Sequence, residues 1–375
     1  MLSKISEMVF FTGGVGLNTW AKGGTINREL ELYKRLSPHL RKISLVTYGG
    51  RADLEYIPEC GDLSVYPTPW LLNAELTKYF VYNKYYSALK QTDLYKTNQI
   101  PGSEIPVWIK KKLKKKLIVR CGYLYSDAIK KDSNDFNKIA RAIALERRVF
   151  IEADAGVVTS NWQREIILKE YQLPPEKVKV IPNYVLTDLF TPKIQEPQFD
   201  LIYVGRCSKE KNIDGLLNAL KQLREKGERY SLLMVGNCRY DRKVRLLTSE
   251  YKLDVTFQDN VPNTSLPAFL NKARVYILPS FHEGHPKALL EAMSCGLPCI
   301  GTNVQGIRED IRHEETGYLC GTEPMSISAA VHDVLSDEGL QKKLGSNSRQ
   351  YILDRYSIDI IVQKELRLIE DVMSG

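Results

Sequence analysis

No C-x-x-C occurs in the 375 residues, and the seven cysteines (60, 121, 207, 238, 295, 299 and 320) are scattered, several inside apolar stretches. That pattern excludes a zinc ribbon or a disulfide scaffold and predicts buried free thiols in a reducing compartment. No apolar run approaches the ~18 residues that span a bilayer. Lys4 and Glu7 stand ahead of the first short apolar strand, unlike a signal peptide, so a cytoplasmic chain is expected. A complete dinucleotide fingerprint is also missing. Gly14-x-Gly16-x-x-Thr19 lacks the third glycine, and no helix is expected directly behind it, which argues against an NAD-dependent dehydrogenase. Neither an internal repeat nor a low-complexity segment stands out, apart from one lysine run.

What remains is ordinary in bulk. An apolar content of 43% and a charged content of 26% describe a water-soluble globular chain. Its length predicts two domains rather than one core. Charge divides unevenly. Residues 1–190 hold 29 Lys and Arg against 20 Asp and Glu, whereas the remainder holds 24 against 25, so the +8 surplus belongs to the first half. An acidic partner would meet that half.

The stretch 277–302 organises the rest. Val275 to Leu278 reads as a buried strand, and Phe281-His282-Glu283-Gly284-His285 as a polar turn. Pro286 suits the first position of a helix through Cys295, which Gly296 stops; a second strand, 297–301, follows. Strand, loop, helix and strand make the unit of a parallel α/β sheet. The N–H groups of Lys287, Ala288 and Leu289 would point at an anion. Glu283 and Glu291 flank that spot, about 12 Å apart if helical throughout, a span that suits a nucleotide sugar. On spacing alone the simpler alternative stands, with Glu283 capping the helix and Glu291 pairing with Lys287.

The whole string from Pro279 to Pro298 closely resembles the E-x7-E signature of family 4 glycosyltransferases. The resemblance implies the GT-B fold, an α/β architecture of two Rossmann-like parallel-sheet domains facing a cleft, with the C-terminal helix crossing back onto the first. The implied bounds are 1–190 with 355–375 for the acceptor side and 191–354 for the donor side. It also implies a retaining transfer from a nucleotide diphosphate sugar, with no metal and no cofactor, and no Asp-x-Asp stands behind a strand.

The second half carries the resemblance furthest. Leu201-Ile202-Tyr203-Val204-Gly205-Arg206 is a strand ending in Gly-Arg, and Lys211 opens the helix behind it. Arg offers a planar fork and Lys a mobile point charge, which together suit a diphosphate. In the family that pair grips the donor phosphates, Val261-Pro262 contacts the base, and Glu283 through Leu289 and Glu291 hold sugar and ribose. The implied catalytic set is therefore Arg206, Lys211 and Glu283. The implied donor-binding set adds Gly24, Gly205, Val261, Gly284, His285, Pro286, Lys287, Ala288, Leu289 and Glu291.

The first half matches only in layout. Gly23-Gly24-Thr25, with Thr25 as N-cap, falls where relatives carry a glycine loop near the donor phosphates, but Trp20 lengthens the approach. Tyrosines 79, 82, 85, 86 and 95 read as core before acceptor groove. Trp20, Thr25, Arg120, Tyr123 and Tyr125 are the acceptor-side candidates, the last three standing where relatives carry a histidine or acid. Lys110 to Lys116 follows Trp108 and suits either a solvated helix or an anionic membrane surface. Without interleaved stacking aromatics it does not suit nucleic acid. The expected acceptor is a hydroxyl of a glycan or lipid-linked glycan, in surface polysaccharide or glycolipid synthesis at the cytoplasmic membrane face. Two rivals are a nucleotide-sugar epimerase on a similar fold, which would convert donor alone, and a non-catalytic membrane-binding protein, which would bind no nucleotide sugar.

Overall fold

The computed structural model of the protein describes residues 2–71 and 73–375. In the first half, β1 (Ser6–Phe10), β2 (Lys42–Thr47), β3 (Ser64–Pro67), β4 (Leu94–Thr97), β5 (Lys116–Cys121), β6 (Ala155–Val158) and β7 (Val178–Val180) form one sheet. Every pairing is parallel, in the order β3-β2-β1-β4-β5-β6-β7. The second half repeats the plan with β8 (Phe199–Val204), β9 (Leu232–Val235), β10 (Val255–Gln258), β11 (Ala273–Leu278), β12 (Cys299–Thr302) and β13 (Tyr318–Cys320). Their order is β10-β9-β8-β11-β12-β13, again parallel throughout. Helices cover both faces of such sheets, which is why the central strands are continuous apolar runs. Met8, Val9 and Phe10 are buried in the first unit, and Leu201, Ile202 and Tyr203 in the second.

The chain divides into two compact units, Met1–Pro182 with Ile361–Gly375, and Asn183–Ile360. The divisions expected at 190/191 and 354/355 therefore shift. Backbone bonds explain the shift: Val185 N–H donates to Tyr356 O (2.8 Å) and Ile358 N–H to Val185 O (3.1 Å), tying 183–190 and 355–360 into the second unit. The final helix, Ile358–Ser374, thus begins in one unit and ends in the other.

In the first unit a short helix, Leu17–Lys22, does follow Gly16, contrary to the sequence expectation. Buried Asp53 holds its start, accepting from Asn18 N–H (3.0 Å) and Gly49 N–H (3.0 Å). A Cβ on Gly16 would lie 2.4 Å from Asp53 Oδ1, and one on Gly49 only 2.1 Å, so both glycines are required by close approach.

The interior of this unit also holds charge. Lys96 on β4 is 1% exposed and donates to Glu365 Oε2 (2.7 Å) on the final helix; Arg120 Nη1 lies 3.6 Å from Glu365 Oε1. Glu7 on β1 is buried beside them, and its two carboxylate oxygens bond to no group among the described residues. Burial pushes the Glu7 carboxyl up to about 6, against the opposing field of Lys96.

The lysine run does not form one basic helix. Its helix, Glu104–Leu113, ends as Lys114 adopts the left-handed conformation (φ 54°), and Lys116 already begins β5. Lys110 Nζ donates to Asp154 Oδ2 (2.6 Å) and Glu152 O (2.7 Å), while Lys111 pairs with Glu152 (2.5 Å) and Lys116 lies 3.9 Å from Asp154. Half of the run is answered by acids within the unit.

Candidate active site

In the second unit the chemistry collects at the carboxyl ends of β8 and β11, the position at which open α/β sheets bind ligands. β8 runs into Gly205, whose φ of 157° and the Tyr203 Oη 2.7 Å from its would-be Cβ leave no place for a side chain. Tyr203 Oη donates to Arg206 O (2.6 Å). Burial, reinforced by the fields of Glu283 and Glu210, pushes the Tyr203 hydroxyl far above its ordinary value, so it remains a donor there. The Arg206 guanidinium itself is 78% exposed, with Glu210 at 3.9 Å as a loose neighbour. Its fork is available to an incoming anion.

Lys211 and Glu283, 72 residues apart, meet directly: Nζ donates to Oε1 at 2.5 Å, and Ser280 Oγ donates to the same oxygen at 2.7 Å. Two crossing bonds bring their loops together. Asn212 turns in the left-handed conformation (φ 52°) and donates through Nδ2 to Pro279 O (3.0 Å) and Thr322 O (2.8 Å). Phe281 N–H donates to Glu210 O (2.8 Å). Behind Glu283, a Cβ on Gly306 would lie 2.3 Å from the Glu283 carbonyl oxygen, so the short helix after β12, Gln305–Arg308, supports this turn by backbone contact. A diphosphate reaching Lys211 competes with a carboxylate already in place.

The helix behind the turn runs Lys287–Ser294, with Pro286 as its N-cap rather than its first residue. Leu289 N–H donates to Pro286 O (3.1 Å), which removes it from the amides expected to face an anion. Its tightened first turn takes that amide inward. Glu291, 2% exposed, accepts from Asn263 Nδ2 (2.8 Å), and Asn263 follows Val261-Pro262 on the loop after β10. The expected base and ribose contacts, Val261 and Glu291, are thus joined through a residue that periodicity did not single out.

His285 is anchored from two sides. Its Nδ1 accepts from Asn183 N–H (3.2 Å), which places the ring proton on Nε2, 3.4 Å from Asp310 Oδ1. Tyr356 Oη donates to the same Asp310 oxygen (2.7 Å), and Asn183 Nδ2 donates to His285 O (2.9 Å). The buried imidazole holds the loop; its side chain is committed to structure.

The expectation of seven free thiols is overturned. Cys207 and Cys238 form a disulfide with Cα atoms 4.9 Å apart, and the other five are buried and unpaired. Register is the reason. Val204 pairs with Val235 on adjacent parallel strands, and each cysteine stands three residues beyond its valine, so the two loops meet at equal height. Equal spacing behind Val204-Gly205 and Val235-Gly236 was the signal available in the sequence.

On the acceptor side the structure separates the candidates. Trp20 is buried and stacks on Phe11 (centroids 4.1 Å), and Thr25 Oγ1 donates to Trp20 O (3.3 Å) beside Gly24. Arg120 faces Glu365 in the interior. Tyr123 is exposed and Tyr125 half-buried at the carboxyl end of β5. Of the tyrosines read as core, Tyr95 is buried, whereas Tyr79 and Tyr86 are exposed.

Two Rossmann-like units, each with the strand order 3-2-1-4-5 at its centre, define a protein of the GT-B fold. Solved structures share it across the chain. Sucrose-phosphate synthase from Thermosynechococcus elongatus matches with TM-score 0.79 at 21% identity, covering 99% of this chain and 100% of that one. Anabaena HepE, solved with UDP-glucose, matches with TM-score 0.77 at 15% identity, covering 97% and 99%. Residues 187–351 match the family described as glycosyl transferases group 1. An uncharacterized glycosyltransferase of Methanocaldococcus jannaschii is 27% identical over 275 residues, 68% of this chain and 67% of the relative. The N-acetyl-alpha-D-glucosaminyl L-malate synthase of Bacillus anthracis is 31% identical over 186 residues, 48% and 47% of the two chains. The matched segments span about half to two thirds of these relatives.

Proposed function

We propose that the protein transfers a glycosyl group from a UDP- or GDP-sugar to a hydroxyl of a glycan or lipid-linked acceptor, with retention at the anomeric carbon. The observation that carries this reading is the convergence of exposed Arg206, Lys211 and Glu283 at the carboxyl ends of β8 and β11. Arg206 and Lys211 stabilise charge growing on the departing diphosphate, and such electrostatic stabilisation dominates catalysis of this kind. Glu283 holds sugar hydroxyls and balances positive charge at the anomeric carbon. Transfer on one face needs no protein base, because the leaving phosphate takes the acceptor proton. Relatives solved with UDP and with UDP-glucose support a nucleotide-sugar donor.

A thermal-shift panel of UDP, GDP and their hexose conjugates tests the donor, and stabilisation by one nucleotide series is expected. Glu291→Ala should weaken both the free nucleotide and its sugar conjugate by roughly 1–3 kcal/mol, the scale of a hydrogen bond to a charged group. Unchanged nucleotide affinity in a folded Glu291→Ala protein would remove Glu291 from the ribose.

The same reading includes peripheral contact with an anionic membrane. It is supported by one face of the first unit, where Tyr79 and Tyr82 pack on Trp108 (5.2 Å each) and Lys112 lies over the same ring (5.7 Å). Exposed Leu76, Tyr79 and Tyr86 border it, a mixture of aromatics and cations suited to a lipid interface. Lys112, Lys114 and Lys115 are the appropriate residues to reverse, because changing Lys110 or Lys116 would also disturb Asp154. The triple change to Glu should abolish pelleting with vesicles of phosphatidylserine in phosphatidylcholine. Equal pelleting by both proteins would leave the run as a solvated helix end.

A further inference from the structure

The Cys207–Cys238 disulfide stands directly behind Arg206, and its two halves are unequally reachable. Cys238 is fully buried, whereas Cys207 is half-buried and lines a cavity of about 610 Å³. The Cys207 side of the bond is therefore the one that an external thiolate can approach. The other five cysteines offer no competing chemistry. Each is buried and unpaired, and burial raises every one of their thiols, Cys60 to about 11 and Cys295 and Cys320 to about 12. The thiolate is the reactive form, so these five stay inert near neutral pH.

What the crosslink holds is the strand end that presents Arg206. The ladder between β8 and β9 stops where Gly205 N–H donates to Val235 O (3.0 Å). There the two backbones touch, since a Cβ on Gly236 would lie 2.0 Å from Gly205 O. Beyond that point two hydrogen bonds and the disulfide fix the backbone of Arg206 and Cys207. Tyr203 Oη donates to Arg206 O, and Cys207 N–H donates to Asn237 Oδ1 (2.9 Å). Asn237 is exposed and shares one turn, Asn237–Tyr240, with Cys238. Opening the disulfide leaves this loop-to-loop contact to an amide in competition with water.

We propose that Cys207–Cys238 is a reversible thiol–disulfide switch that positions Arg206. One thiolate of a dithiol reductant attacks Cys207 Sγ and forms a mixed disulfide, while Cys238 Sγ leaves as a thiolate and takes up a proton. The reductant's second thiolate then attacks its own sulfur in the mixed disulfide, and Cys207 leaves and is protonated. Two electrons and two protons pass from the dithiol to the protein, and the dithiol ends as a disulfide. The released loop no longer fixes the origin of the Arg206 side chain, so an anion that Arg206 grips is held less well. Calling that anion the donor diphosphate rests on the glycosyl-transfer reading above; the switch in loop position does not.

The test compares the full chain treated with oxidised glutathione and with dithiothreitol. Alkylation in denaturant should count the five free thiols in the oxidised chain and all seven cysteines in the reduced one. Trypsin, which cuts after arginine, reads the loop without reference to activity. Cleavage after Arg206 should be at least about fivefold faster in the reduced chain, because proteolysis tracks the opened population. Affinity for UDP or GDP should fall at least about threefold on reduction and return on reoxidation, the signature of lost preorganisation. Cys207→Ser should behave as the reduced chain under both conditions. Seven thiols after oxidation, cleavage that ignores redox state, or a Cys207→Ser chain that still responds to dithiothreitol would overturn the proposal. Nucleotide bound equally by both forms would leave the crosslink a purely structural one, overturning the switch and keeping glycosyl transfer. Redox-dependent cleavage with no nucleotide bound by either form would do the reverse.

Discussion

Replacing Arg206 or Lys211 with alanine is expected to lower kcat at least about 100-fold, the scale for removing one charge-stabilising donor. Charge grows on the diphosphate as the sugar leaves, so the loss should fall more on kcat than on KM. The two residues are not equivalent. Arg206 is mostly exposed with a loose partner, so on the proposed reading its grip would form when donor arrives, and Arg206→Lys keeps charge while losing the two-point fork. Lys211 is bonded to Glu283 at 2.5 Å. Lys211→Ala therefore removes a cation and also leaves a carboxylate beside the anion, so it should be the more damaging change. Adding Glu283→Ala to Lys211→Ala should not multiply the two losses, because the second change relieves part of the first. Steady-state rates with saturating acceptor decide the matter. A folded Arg206→Ala/Lys211→Ala protein turning over near the wild-type rate would place the diphosphate elsewhere.

The second large effect concerns stability. Lys96→Met should destabilise the protein by about 3–5 kcal/mol, because it leaves Glu365 and Glu7 buried with Arg120 as the remaining nearby cation. Lys96→Met combined with Glu365→Leu should recover most of that loss, since removing both partners leaves no unanswered charge. Glu7 adds a pH signature. Its carboxyl titrates near 6 when folded, above the ordinary value of 4.5, so the folded chain holds the extra proton between those values. Stability therefore falls as pH rises from about 4.5 to 6, by roughly 2 kcal/mol. Glu7→Gln should flatten that slope and stabilise the protein at neutral pH. Lys96→Met should extend the slope upward in pH, because the Lys96 field holds the Glu7 carboxyl down. Urea denaturation across that pH window and up to neutrality measures all three; a flat wild-type profile would show that Glu7 is solvated or paired.

The loops after β8 and β11 in the second unit were legible in the sequence because their determinants are local. A strand, a tight glycine, a charged loop and a helix start lie within a few positions of one another, and period and turn chemistry reveal them. Both the Gly205-Arg206 turn and the Glu283 loop stand at the strand ends at which the sequence placed them. The first unit was not readable in that way. Tyr79 and Tyr82 lie on one helix and Trp108 on another, and no spacing in the chain announces that they meet. Arg120, at the end of a strand, looked outward by position, yet its charge answers Glu365 on the final helix.

By itself the sequence determined two parallel α/β units and the positions of the loops after β8 and β11, because apolar runs and turn residues act over a few positions. Only the tertiary structure decided which distant groups satisfy one another. It paired Cys207 with Cys238 through strand register, closed Lys211 on Glu283, and buried Lys96 against the final helix. Such pairings depend on sheet order and on the cost of leaving a buried polar group alone, and neither is written in local spacing.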